Sequence, residues 1–498
     1  MKKIIFFLAL GFIASTCFGQ ELPCTPSGST SLGQPTFIPD NLVPPTYPLN
    51  PRQKPPHSND RLVFWIHGLG GNNDSWAKVA QATQYQAPGQ SILGYPHRKV
   101  TSIPLGYSQF SLSGAASTLH NTLVSSGDPA CVANGITDKT INFIIAHSQG
   151  GIASRSTDKM YDDLGMQGDR RFGGLVTFGT PHGGAMIINN KDEFVPFSNE
   201  ACSALIAGPA EEALQDKPIL DFFISNETFQ SIKDKLCQIL ATEITPIAFK
   251  DQFQEITEDY KVGAAALGEL NSHNSTIPRV SLYGIETEPV FYRTVYNLKV
   301  KTPNQFPHFE ADNDQELVDR FNNLLNKYKN EREINQARME YLESMGIPCS
   351  PLRWLCCFVE CTDLGSAYKK AKKRRDAWWD GELWLSSSNI KFKAIIGASS
   401  TTWVPTYQCN CDGYSFPTSQ PSCPQGCSLA NNGGYFSVLE KPSDGIILAE
   451  SAMDYPGAQL DVLPSSNHQQ MRNDSNTKAK LLKVFGGSYG DYFGTAVR

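Results

Sequence analysis

Three residues, far apart in the chain, have the types and order needed for hydroxyl-nucleophile chemistry. Ser148 stands in Ala146-His147-Ser148-Gln149-Gly150-Gly151, directly after an apolar run. Asp444 opens the C-terminal segment Asp-Gly-Ile-Ile, and His468 follows Asn467 at its end, 24 residues later. A serine hydroxyl is a weak nucleophile until a base takes its proton, and a carboxylate that orients the base completes the set. The chain order is serine, acid, histidine. Two glycine-rich turns accompany them. His67-Gly68-Leu69-Gly70-Gly71 follows the first apolar run, where it can aim a backbone N–H at the charge developing on a carbonyl oxygen. Phe178-Gly179-Thr180-Pro181-His182-Gly183-Gly184 lies one apolar run beyond Ser148.

A second serine competes on letters alone. Gly486-Gly487-Ser488-Tyr489-Gly490 satisfies G-x-S-x-G in full, whereas Ser148 has alanine at the first position. Allowing either small residue there, the pattern arises by chance about once in three chains of this length, so context decides. A nucleophile elbow needs a buried strand that ends abruptly, small residues two before and two after the serine, and a helix starting at once. Ser148 has the strand, Ala146 and Gly150, and a helical run behind it. Ser488 follows a terminal amphipathic helix, with no strand before it and no room for a helix after it.

The elements that must position these residues alternate. Strands are expected at 61–68, 99–105, 141–146, 174–178 and 278–284, and helices at 73–85, 112–124 and from Gly150 onward. Asp74 and Ser75 are N-cap candidates for the first helix. Such alternation argues for a parallel sheet covered on both faces. After Gly184 the pattern becomes helical, with helices expected at 201–214 and 230–241. Residues 290–440 are read as a longer insertion, holding a charged amphipathic helix at 315–345, two cysteine groups and Trp378, Trp379 and Trp384. The segment 444–468 is strand-like.

These segments, in this order, resemble the α/β-hydrolases of the lipase type, near the bacterial lipases and the inositol-deacylase-like lipases. The similarity covers roughly 60–185, 277–289 and 440–475, and neither insertion. It implies an α/β-hydrolase fold: a mostly parallel central sheet with helices on both faces, plus a helical lid-like insertion and a Cys-rich insertion. By position, Ser148 resembles the nucleophile, His468 the general base, Asp444 the orienting acid, and the backbone N–H groups of Leu69 and Gln149 the oxyanion hole. The acid has rivals: Glu288, with Glu286 behind it, ends a core strand where many such enzymes carry theirs. Residues 290–440 separate Asp444 from that strand, a departure from the family's pattern. The spacing to His468 and the following Gly-Ile-Ile favour Asp444. His67 and His182 are read as hydrogen-bonding their own turns, and His147 as pointing away from Ser148.

The implied organisation is a signal peptide at 1–19, an extended leader at 20–60, and the N-terminal half of the core at 61–184. A lid-like insertion at 185–276, a core strand at 277–289, the helical and Cys-rich insertion at 290–440, and the C-terminal part of the core at 441–498 complete it. The implied activity is a secreted serine hydrolase cleaving carboxylic esters, lipids above all, at a lipid surface or in solution, without metal or organic cofactor. An acyltransferase using the same three residues, or a non-catalytic binding protein on this fold, are the alternatives.

Bulk properties agree with export. Two lysines precede about ten apolar residues at the N-terminus, too few for a membrane span. Cleavage there would remove Cys17, one of thirteen cysteines, and leave an even number, expected as disulfides in a secreted or periplasmic protein. Cys409, Cys411, Cys423 and Cys427 also have a spacing that zinc would accept. The net charge of −6 is spread without long acidic runs and favours no nucleic-acid partner. The basic run Lys369–Arg375 is read as a solvated helix face before an anionic-surface contact. The three tryptophans are read as buried before they are read as a lipid or glycan site.

Overall fold

A sheet buried on both faces requires strands that are apolar throughout. The runs 62–66, 143–146 and 175–178 meet that requirement, and in the computed structural model they become adjacent strands. The structure describes residues 61–80, 91–105, 111–200, 258–294, 314–346 and 358–494, short interruptions within these ranges aside. The proposed signal peptide, the leader and the helices expected at 201–214 and 230–241 lie outside the described residues, as do Glu288, Cys349, Cys356 and Cys357.

The strands are β1 (Arg61–Ile66), β2 (Val100–Leu105), β3 (Phe143–His147), β4 (Leu175–Phe178), β5 (Arg279–Ile285), β6 (Ser399–Cys411), β7 (Tyr414–Thr418), β8 (Ser428–Glu440) and β9 (Gln459–Pro464). Six of them form one sheet in the order β9-β5-β4-β3-β1-β2, and every neighbouring pair is parallel. This is the parallel α/β sheet that the alternation in the sequence implies. The strand order reverses at β1, between β2 and β3. In an open parallel sheet such a reversal leaves a crevice beyond the carboxyl ends of the strands, where ligands bind. The turn after β1 and the turn after β3 therefore meet at one place.

Alternate residues of the strands feed two different cores. Leu62, Phe64, Ile144 and Leu175 pack with helices α1 (Leu112–Thr122) and α2 (Gln149–Asp163) on one face. Val63, Trp65, Phe143, Val176, Val280 and Leu463 pack on the other face with Leu481, Val484 and Phe485 of a C-terminal helix. Asp474 caps that helix, its carboxylate accepting from the Thr477 N–H at 2.7 Å, and Ser111 caps α1 in the same way at 3.1 Å.

The insertion contains two long helices, α3 (Asp314–Gly346) and α4 (Phe358–Ile395). They pack against each other: Tyr328 meets Trp378 edge-on, Arg332 pairs with Glu382, and Arg375 bonds Gln336. Trp378 and Trp384 are buried, as expected, while Trp379 is 47% exposed beneath the Arg332 guanidinium. Lys369, Lys370, Lys372 and Lys373 are exposed on α4. Strands β6, β7 and β8 form a separate antiparallel sheet, in which Cys409 is bonded to Cys423 and Cys411 to Cys427. The sulfurs are thus paired with one another, and the disulfide reading of that group holds. The C-terminal helix, α5, spans Ser475–Phe485.

One local expectation differs from the structure. The helix expected at 73–85 begins as a short 3-10 turn, Asn73–Trp76, and 81–85 lie outside the described residues. The apolar run Ile446-Ile447-Leu448 is not a strand. Its first two N–H groups are taken by the Asp444 carboxylate at 3.0 and 2.7 Å, and Gly445 turns the chain with φ 89°. The run is buried instead in the apolar cluster formed with the insertion helices, and the strand of this segment comes later, as β9. Among the described residues no helix is long and apolar enough to cross a membrane.

Candidate active site

Ser148 terminates β3 with φ 54° and ψ −128°, a left-handed conformation that costs a residue with a side chain roughly 1–2 kcal/mol. Neighbouring backbone holds it there. Its N–H donates to the Phe178 carbonyl at 2.9 Å, and its carbonyl accepts from the Gly151 N–H at 3.0 Å. Helix α2 starts at the next residue. The small neighbours are needed: a Cβ on Gly150 would stand 2.3 Å from the His67 carbonyl oxygen, and one on Gly68 would stand 2.7 Å from the Ser148 Cβ. Ala146, fully buried in the strand, is accommodated where the common pattern has glycine.

The three residues singled out in the sequence come together. His468 Nε2 lies 3.0 Å from Ser148 Oγ, and His468 Nδ1 lies 2.8 Å from Asp444 Oδ2. A carboxylate acceptor at Nδ1 selects the tautomer with the proton on that nitrogen, which leaves Nε2 able to accept the serine proton. Asp444 and His468 are both buried. The same turn that binds the carboxylate also fastens the histidine backbone, since the His468 N–H donates to the Asp444 carbonyl at 2.7 Å. Two glycines make room for the pair. A Cβ on Gly179, at φ 54°, would fall 2.9 Å from Asp444 Oδ2, and one on Gly284 would fall 2.9 Å from the Asp444 Cβ. Gly179 belongs to the turn already noted in the sequence, whereas Gly284 was read only as the end of a core strand.

Leu69 lies in the turn after β1, one residue past the Gly68 contact, and is half-buried. Gln149 is the buried first residue of α2, where backbone N–H groups lack intrahelical acceptors and the helix dipole is positive. Glu286, the lesser alternative acid, is fully buried in an ion pair with Arg293 at 2.9 Å.

The remaining histidines have partners of their own. His67 Nδ1–H donates to the Gly68 carbonyl at 2.8 Å, and His182 accepts from Arg155 at 2.9 Å and stacks on Tyr455. His147, expected to point away from Ser148, packs its ring 4.6 Å from that of His468 and donates from Nε2 to the His468 carbonyl at 2.7 Å. Burial first, and then the neighbouring His468, push His147 well below the ordinary imidazole range, so it stays neutral. Burial lowers His67 and His182 in the same direction. Asp158, Asp162 and His273 bring possible metal-ligand atoms within 4.8 Å of one another. The positive charge there comes from Arg170, which pairs with both aspartates.

No protein-family model matches the chain, and no curated protein matches it. Solved structures are similar at low identity. The phospholipase PlaB from Legionella pneumophila is 12% identical with a TM-score of 0.26, over 47% of this chain and 41% of that one. The lipase BlEst2 from Bacillus licheniformis is 13% identical with a TM-score of 0.24, over 51% and 79%. The peroxisomal α/β-hydrolase Lpx1 from Saccharomyces cerevisiae is 12% identical with a TM-score of 0.24, over 49% and 68%. The functional reading of this chain rests on the geometry of its own site.

Proposed function

We propose that this protein is an exported serine hydrolase that cleaves carboxylic esters through an acyl-enzyme on Ser148. The observation that carries the reading is the chain of contacts Ser148–His468–Asp444, at 3.0 and 2.8 Å, on a strained turn at the carboxyl end of a parallel sheet. His468 Nε2 takes the Ser148 proton as Oγ attacks the ester carbonyl. The carbonyl oxygen becomes an oxyanion facing the N–H groups of Leu69 and Gln149. His468 then gives its proton to the leaving alcohol, and water, activated by the same nitrogen, hydrolyses the acyl-enzyme. Asp444 keeps the imidazole in the required tautomer and balances the charge it gains.

An apolar substrate is favoured by what surrounds the turn after β1. Leu69 packs against a cluster that contains Phe197, Trp384, Phe392 and Ile446–Leu448. The test is a fluorophosphonate probe combined with nitrophenyl esters of increasing acyl length. Wild type is expected to be labelled at Ser148 and to show kcat/KM rising beyond the acetate ester, and Ser148→Ala to show neither. A wild-type protein that takes no label would overturn the reading.

A further inference from the structure

The strand end where the competing acid was expected holds a buried ion pair, and both loops of the site are tied to it. Arg293 is wholly buried. Its Nε lies 2.9 Å from Glu286 Oε1, and its Nη2 donates to the Ser465 carbonyl at 2.9 Å. Ser465 has φ 60°, a conformation that must be held from outside. The other Glu286 oxygen accepts from Asn467 Nδ2 at 2.7 Å. Asn467 precedes His468, and its side-chain oxygen accepts from the Gln469 N–H at 3.0 Å, bracketing the histidine on both sides.

The Asp444 loop is fastened to the same place. The Glu286 N–H donates to the Ser443 carbonyl at 2.7 Å, and Thr294 Oγ1 donates to the Gly445 carbonyl at 3.4 Å. Gly445 packs so closely that a Cβ there would stand 2.1 Å from Glu286 Oε2.

A buried ion pair contributes little net stability, because the desolvation of both charges offsets their attraction. What this pair supplies is placement. Four segments converge on it, and two of them carry the base and its carboxylate. We infer that Glu286, Arg293 and Asn467 are positioning residues that hold His468 and Asp444 in register with Ser148. The inference rests on the reading of Ser148 as a nucleophile.

Asn467→Ala tests it without leaving a buried charge unpaired. Misplacing a catalytic group by an ångström costs on the order of a hundredfold. The expectation for Asn467→Ala is a kcat about tenfold to a hundredfold lower, a KM within about twofold of wild type, and fluorophosphonate labelling slowed in proportion to kcat. Glu286→Gln, which keeps an oxygen for the Asn467 amide, should retain more kcat than Glu286→Ala, with melting temperatures recorded for each variant. An Asn467→Ala protein with wild-type kcat and labelling rate overturns the inference while leaving the nucleophile reading intact. An unlabelled wild-type protein overturns the nucleophile reading itself, and this inference with it.

Discussion

Ser148 and Ser488 carry nearly the same five letters, and the structure puts them to opposite uses. Beside Ser148, Gly150 is crowded by the His67 carbonyl and Ile66, Gly151 is crowded by the Thr180 side chain, and the serine itself takes the left-handed conformation. At Ser488 it is Gly487 and Gly490 that have positive φ, 79° and 111°, and they end helix α5. The Ser488 N–H closes that helix on the Lys483 carbonyl at 2.9 Å, and the residue is exposed. Glycine at one site makes room for a close approach; at the other it relieves a backbone turn. The serine that bears the strain is the one in contact with His468.

The sharpest way to break this contrast is to remove each hydroxyl. Ser148→Ala should abolish esterase turnover, while Ser488→Ala should leave kcat/KM within about twofold of wild type, since it touches no group of the site. Turnover that survives the first change or collapses with the second would reverse the assignment. Next in size is the acid. Asp444→Ala should lower kcat on the order of 10⁴-fold, because the imidazole loses the partner that selects its tautomer, and Glu288→Ala should keep most activity. Kinetics of the two variants side by side decide between them.

The glycines give a smaller effect on stability. Gly150→Ala drives a Cβ against the His67 carbonyl and should destabilise by about 2 kcal/mol or more. Gly487→Ala places a Cβ at ordinary contact distance, 3.5 Å from the Gly494 Cα, and meets only the positive φ, costing about 1 kcal/mol. Denaturant melts that show the reverse order would refute the two roles of glycine.

The least effect is expected from acid. His67 and His147 flank the Ser148 turn, and with His182 they are buried and held below the ordinary value of 6.5. The unfolded chain binds protons at these groups near 6.5 and the folded chain does not, so stability is full above that pH and declines as pH falls below it. Melting temperature should therefore drop between about pH 7 and pH 5, and a flat profile would count against neutral, buried imidazoles at this end of the sheet.

Much of the site was legible because its signals are local. A buried strand, a serine between small residues and a helix are contiguous in 141–163, and their order in the chain is their order in space. The turn after β1 was legible for the same reason. The strand-like reading of 444–468 is met by β9, but apolar composition alone does not show that Ile446–Leu448 in the same segment is a buried loop. The loss of its N–H groups to Asp444 is a contact that composition does not carry. The disulfides of the second cysteine group were expected from an even cysteine count in a chain read as exported, but their pairing of first with third and second with fourth needed the antiparallel sheet.

By itself, then, the sequence determined the parallel α/β layout, the elbow at Ser148 and the three residue types in their chain order, since each is written in short-range pattern. The tertiary structure decided which carboxylate stands against His468. Asp444, which the 290–440 segment separates from β5, stands against it in the space left by Gly179 and Gly284, while Glu286, just after β5, is held in an ion pair with Arg293. The space itself is made by residues more than a hundred positions apart, Gly179 and Gly284 against Asp444, and no local pattern encodes that approach.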